Sequence, residues 1–283
     1  MPTGRTATET EGPGPAPRSP EPSRITFVGH STVLIETAGA RMLTDPLLRG
    51  RVLGFLRRRQ PAPDPRALEK IDAILISHFH HDHLDMRSLR QFRGGPPIVA
   101  PAGGAKYLRS RGHEHVIELP VGESTTIGRT EVTAVKAVHG GGLARPGGGA
   151  AAFVGYVVKG TASIYFAGDT DFFDELAEIG DMGLDVALIP IWGWGAKLGS
   201  GHLDPGSAAR ALRLLRPKIA VPIHWGTYSP LFSKQLWPWL LHEPVSRFVE
   251  RAAVLAPDVD VRVLQPGEHL DVATMIEGGG RSG

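Results

Sequence analysis

Between residues 76 and 85 the sequence runs ISHFHHDHLD, four histidines and two aspartates in ten positions. Neutral imidazole and carboxylate are ligands for zinc and related divalent ions, so this density points to a metal site. The chain has no cysteine. Disulfides, thiolate nucleophiles and Cys-type zinc sites are thereby excluded, and any ion must be held by His, Asp or Glu. Residues 71–77 read as a strand, and residues two apart in an extended chain point the same way, so His78 and His80 can reach one ion. Asp82 and His83 fall where the chain should bend toward a helix, placed to face a second ion beside the first. His81 should project away from both.

Three further residues each end an expected strand: His139 after 135–138, Asp169 after 165–168 and His224 after 221–223. Taken singly they have ordinary readings, as a turn histidine, a helix cap and a core histidine. Gathered on one edge, they would complete imidazoles on two ions and a carboxylate able to bridge them.

Strand ends must deliver those side chains. Short β-branched runs punctuated by glycine predict strands at 25–28, 31–36, 41–44, 71–77, 98–100, 131–138, 152–159 and 163–167, and the apolar runs 185–191 and 218–223 read as buried strands. One helix should start near Asp85, pass through Leu89 and Phe92 and stop at Gly94-Gly95. A second is expected with Asp171 as its N-cap, Phe172, Phe173, Leu176 and Ile179 on one face, and Gly180 as its stop. The third has Asp204 as cap, Pro205 at its first position, a stripe of Ala208, Ala211, Leu212 and Leu215, and Pro217 at its end. This mixture predicts packed sheets covered by helices, an α/β (α+β) class.

With 283 residues, 41% of them apolar, the chain can bury a substantial core. Residues 1–23 are rich in Pro, Gly, Thr, Ser and Glu and are expected to be a disordered tail. No linker follows, so 24–272 should form one domain, with 273–283 a flexible C-terminus. Neither a signal-peptide core nor a run of ~18 apolar residues is found, and a cytoplasmic protein is expected. The net charge of +2, from 31 basic against 29 acidic residues, implies no overall grip on nucleic acid.

The pattern His-x-His-x-Asp-His in HFHHDH, with a later lone His, FAGDT and PIHWGT, resembles the metallo-β-lactamase superfamily over nearly the whole chain from Arg24 to about residue 270. GHST at 29–32, LTDP at 43–46, GHLDP at 201–205 and IHWGT at 223–227 further resemble the branch containing N-acyl-phosphatidylethanolamine phospholipase D and ascorbate-6-phosphate lactonase-like hydrolases. The resemblance implies a four-layer αββα sandwich. It implies two divalent metal ions, zinc first with manganese or iron as alternatives. His78, His80 and His139 would hold one ion, Asp82, His83 and His224 the other, and Asp169 would bridge, leaving His81 out. Asp45 would orient a ligand loop. His202 would face the substrate, and we take His202 and Asp82 as the catalytic side chains. The reaction implied is hydrolysis by a metal-bridging hydroxide attacking a phosphodiester, with a lactone or carboxylic ester as the alternative.

Arg49, Arg51, Arg57, Arg58 and Arg59 surround an apolar centre at 52–56, a composition suited to an anionic, partly greasy ligand or to a membrane surface, although a solvated loop is the commoner origin of such a run. The aromatics of 231–241, among them Trp237 and Trp239, and those of Trp192-Gly193-Trp194 either line a pocket mouth or pack on the core. The expected partner is therefore a small-molecule or lipid-like anionic substrate. Residues 140–149, GGGLARPGGG, depart from the bulkier residues of the branch. Other classes fit less well. A TIM-barrel amidohydrolase normally places its aspartate ligand last, a helical His-Asp phosphohydrolase needs a helix where 73–76 reads as strand, and no RNA-gripping arm of a nuclease is found. A non-catalytic relative would usually have lost ligands, and all seven are present.

Overall fold

A computed structural model describes residues 22–140 and 152–272. Its strands form two seven-stranded sheets and one three-stranded sheet. The first sheet runs in the order His269–Asp271, Arg24–Gly29, Thr32–Thr37, Ala40–Thr44, Ala73–Leu75, Ile98–Pro101 and Val116–Leu119. The second runs Asp260–Val261, Ile219–Ile223, Val186–Pro190, Ser163–Phe166, Val154–Lys159, Thr130–Lys136 and Ser124–Ile127.

Alternation along the strands makes the layers. Val33 and Ile35 point into an apolar layer shared with the second sheet, whereas Leu34 points the other way, into a layer with Leu89, Ala105 and Leu108 of the outer helices. In the second sheet Val186 and Leu188 face the shared layer, while Ala187 and Ile189 face helix residues Ala208, Leu212 and Phe248. Strands covered on both faces must be apolar throughout, which is why VALIP and IAVPI are buried at every position. Three apolar layers between helix, sheet, sheet and helix constitute the expected αββα sandwich.

The helices at Met86–Leu89 and Pro205–Leu215 start at Asp85 and Asp204, each of whose side chains accepts a backbone N–H, as the sequence leads one to expect. The expected helix at Asp171 is corrected. Asp171 folds its carboxylate onto the next amide, Phe172, and its own amide binds the Val138 carbonyl, so the helix starts only at Leu176. Gly180 lies inside that helix. A Cβ there would sit 2.3 Å from the Leu214 carbonyl, so glycine lets this helix press against Pro205–Leu215.

Other features had no counterpart in the sequence reading. Glu243–Leu255 forms a long helix packed on Pro205–Leu215. Arg51–Val52, Leu56–Arg58 and Tyr228–Pro230 form the small third sheet. Ser23 is buried and its hydroxyl bonds Thr37, so the fold takes hold of the chain at the last residue of the expected tail. Residues 1–21, 273–283 and most of the glycine-rich stretch 140–149 lie outside the described residues. Among the described residues no helix is long and apolar enough to cross a membrane.

Candidate metal centre

Each candidate side chain follows the C-terminal end of a strand, and in both sheets these ends point to one edge. That is the edge where open α/β sheets present their ligands. His30, Asp45 and the loop of residues 76–85 come from the first sheet; His139, Asp169, His202 and His224 come from the second. Gly168 allows the sheets to meet there, because at its φ of 61° a Cβ would lie 2.5 Å from Cβ of Ser77.

Two clusters result. In one, His80 Nδ1 lies 3.1 Å from His78 Nε2 and 3.0 Å from His139 Nε2. In the other, His83 Nε2 and His224 Nε2 are 3.1 Å apart, and Asp82 Oδ2 is 3.5 Å from His224 and 3.7 Å from His83. Asp169 stands between them. Its Oδ2 is 3.1 Å from His83 Nε2 and 3.3 Å from His202 Nε2, and its Oδ1 is 3.3 Å from His224 Nε2. His139, Asp169 and His202 also converge on one point.

The outer nitrogens fix the rings. Nδ1 of His83 meets Asp45 Oδ2 at 2.7 Å, Nδ1 of His139 meets the Gly201 carbonyl at 2.5 Å, and Nδ1 of His224 meets the Trp192 carbonyl at 2.8 Å. With Nδ1–H committed outward, each Nε2 turns a lone pair to the centre, the orientation second-sphere acceptors impose on metal-binding histidines. Asp45 also accepts from the Ser77 amide at 2.8 Å and hydroxyl at 2.5 Å, and so ties down the start of the ligand loop.

This geometry fits divalent cations. Two neutral imidazoles whose N–H groups are both used elsewhere cannot hydrogen-bond to each other, yet His83 and His224 bring theirs to 3.1 Å, a spacing that requires either an extra proton on His83 or a metal ion between them. Zinc–nitrogen bonds of about 2.0–2.1 Å at tetrahedral angles would separate ligand nitrogens by about 3.3 Å. Asp169 Oδ1 is moreover buried without a hydrogen-bond partner. A cation answers both anomalies.

Electrostatics agree. Burial would raise the carboxyls of Asp82 and Asp169, but the surrounding imidazoles hold both well below the usual range, as anions. Burial drives His78 well below its ordinary value, His80 to about 4 and His139 downward, leaving neutral ligands. His83 and His202 go the other way: burial opposes their charging, but Asp169 outweighs it, aided by Asp82. His81 joins neither cluster.

The sequence reading passed over His30. It sits at φ 59°, and its Nε2 lies 3.1 Å from Asp82 Oδ2. Its ring centroid is 4.0 Å from that of His224, and its carbonyl accepts the His224 amide at 2.9 Å. The motif GHST contained the signal, but a polar residue between two strands reads as a turn.

The arginine run divides. Arg58 is buried and donates to the carbonyls of Pro61 and Val28, and Arg59 donates to Ser229 and the Pro230 carbonyl. These two hold the third sheet in place and are unavailable to a ligand or membrane, which corrects that part of the expectation. Among the aromatics, Trp192 packs on Trp239, and Trp194 meets Phe55 with centroids 5.6 Å apart.

A profile of the Beta-lactamase superfamily domain matches residues 40–225, which contain the clusters except His30. The chain belongs to that superfamily. Within the superfamily it belongs with the UPF0173 metal-dependent hydrolases: such a protein of Methanopyrus kandleri is 32% identical across 88% of this chain and 99% of its own. The enzyme class expected from the motifs therefore holds. In fold, this superfamily member is similar to a metallo hydrolase of Ignicoccus hospitalis, with a TM-score of 0.67, 23% identity, and coverage of 88% of this chain and 97% of the other. It is also similar to a diiron β-hydroxylase of Streptomyces venezuelae, with a TM-score of 0.65, 20% identity, and coverage of 89% and 55%.

Proposed function

We propose that this metal-dependent hydrolase is dinuclear and acts on a phosphodiester, in the manner of the N-acyl-phosphatidylethanolamine phospholipase D-like branch. His78, His80 and His139 hold one ion, Asp82, His83 and His224 the other, and Asp169 serves both. The observation that carries this is Asp169, whose Oδ2 lies 3.1 Å from His83 Nε2 in one cluster while a carboxylate oxygen comes within 4.8 Å of a ring nitrogen of His139 in the other, and whose Oδ1 has no hydrogen-bond partner. Zinc suits an all-His and Asp donor set, with manganese or iron as alternatives. A pair of divalent ions would supply an acidified water and a Lewis acid for the attacking and leaving oxygens, as in two-metal phosphodiester cleavage.

The chain's own groups supply the rest. Asp82 stays anionic and takes its position from His30. His202 is part-exposed at the edge of the centre, and its raised affinity for a proton, caused by Asp169, equips it to donate to a leaving oxygen. Metal analysis of the purified protein, followed by an activity screen over phosphodiesters, N-acyl-phosphatidylethanolamine, lactones and carboxylic esters, tests the reading. Two ions per chain and phosphodiester turnover abolished in Asp169→Ala are expected. One ion at full loading sinks the dinuclear part, and turnover of lactones or esters alone sinks the phosphodiester part.

A further inference from the structure

Beside the ligand loop, with His81, Leu84 and Asp85 in its wall, lies an open cleft of about 600 Å³, a volume suited to a small molecule. His81, the histidine the metal clusters leave out, forms part of its wall. Arg49, Arg51, Arg87 and Arg90 line it, with Leu53, Met86 and Tyr107 as apolar surface. The lining carboxylate, Asp85, is already used: its Oδ2 accepts from the Ser88 amide and hydroxyl and from Arg49 Nε at 2.9 Å. Arg51, Arg87 and Arg90 pair with no carboxylate among the described residues. Gathering like charges around one concavity is unfavourable unless an anion joins them, and guanidinium groups are shaped for phosphate oxygens.

We propose that this cleft is a binding site for a small phosphate-bearing molecule with an apolar or aromatic portion, separate from the metal centre and sharing its ligand loop. The phosphate lies among Arg51, Arg87 and Arg90, and the apolar portion rests on Leu53, Met86 and Tyr107. Because His81 and Asp85 belong to the loop that carries His78, His80, Asp82 and His83, an occupant would touch the metal-binding segment through residues that are not themselves ligands. The site does not depend on the phosphodiester reading.

Phenylphosphonate, a non-hydrolysable dianion with one ring, is the probe. Calorimetric titration into the full-length, metal-loaded protein should show binding that weakens with salt. Arg87→Gln/Arg90→Gln alters exposed side chains without internal partners, and circular dichroism verifies its fold. It should weaken binding at least tenfold, whereas His224→Ala, which disables the metal centre, should leave binding within twofold. Unchanged affinity in the double arginine variant overturns the proposal, and so does loss of binding in His224→Ala, since the anion then sits on the metals. A phospholipid headgroup offers the same chemistry, so phosphatidylglycerol vesicles form the second arm. Sedimentation with vesicles in the absence of phenylphosphonate binding likewise overturns a small-molecule site.

Discussion

Asp45 Oδ2 lies 2.7 Å from His83 Nδ1, and solvent reaches neither side chain. Through this pair the first sheet sets the direction of a nitrogen that faces the metal clusters, and the same carboxylate anchors Ser77. Asp45→Asn keeps the shape but offers an amide where His83 needs an acceptor. Metal affinity should fall by about 10–100-fold, the usual consequence of losing such an outer partner. Asp45→Ala removes one partner of a buried charged pair and should also cost about 3–5 kcal/mol of stability. Competitive metal titration and thermal melts of both variants are the measurements; wild-type affinity in Asp45→Asn refutes the orienting role.

His30 should act through Asp82. Its backbone has a left-handed φ of 59°, a conformation asparagine adopts readily, so His30→Asn can preserve the turn while its shorter side chain gives up the bond to Asp82. The expected result is a folded protein whose metal affinity is down by about tenfold or more. His30→Ala should lose the same affinity with added backbone strain. A His30→Asn variant that loads metal like wild type would show that His30 merely packs against His224.

The strand ends, and with them most of the centre, were legible because metal chemistry restricts residue type and strand geometry restricts direction. Strand direction puts His78 and His80 on one side of the chain and His81 on the other, while Asp82 and His83 needed the expected bend and the family resemblance to be set apart. What escaped was set by contacts distant in sequence. His30 reaches Asp82 across 52 positions, and the carbonyls of Trp192 and Gly201, which orient His224 and His139, have no side-chain signature. Arg58 and Arg59 looked like surface charge because their carbonyl acceptors are invisible in sequence. Asp171 resembled an N-cap, yet its amide was already taken by Val138.

In the metal-free protein, pH should act through the buried histidines in a definite direction. His30 is pushed down to about 3 and His80 to about 4, chiefly by burial, from an ordinary value of 6.5. Below that ordinary value the unfolded chain binds protons that the folded chain refuses, so stability falls as pH drops from about 6.5 toward 4. His83 opposes this: its raised affinity for a proton stabilises the metal-free fold at low pH, and the contribution is lost as pH rises through its folded value. His78, His113 and His139 are pushed down as well and His202 is raised alongside His83, so five histidines against two make net acid destabilisation the expected outcome. Denaturant melts of chelator-treated protein across this range measure it, and stability that rises on acidification contradicts the assignment.

His202 and Asp169 touch at 3.3 Å but should separate cleanly in their effects. Asp169 touches His83 and His224 and lies within 4.8 Å of His139, so on the proposed reading its removal should empty the site. Beyond Asp169, His202 meets the Gly199 and Ser200 carbonyls and sets its ring edge-on to that of His139 at 4.6 Å, but it lies part-exposed at the rim and the proposed ligand set is complete without it, so His202→Ala should leave metal content unchanged. If it donates the proton to the leaving oxygen, turnover should fall by about 10²–10⁴-fold. The deficit should be smaller for substrates whose leaving group is acidic enough to depart unprotonated. Comparison of kcat for an alkyl and a nitrophenyl phosphodiester in wild type and His202→Ala measures this. An equal loss on both substrates would assign His202 to binding or to the cap of the following helix instead.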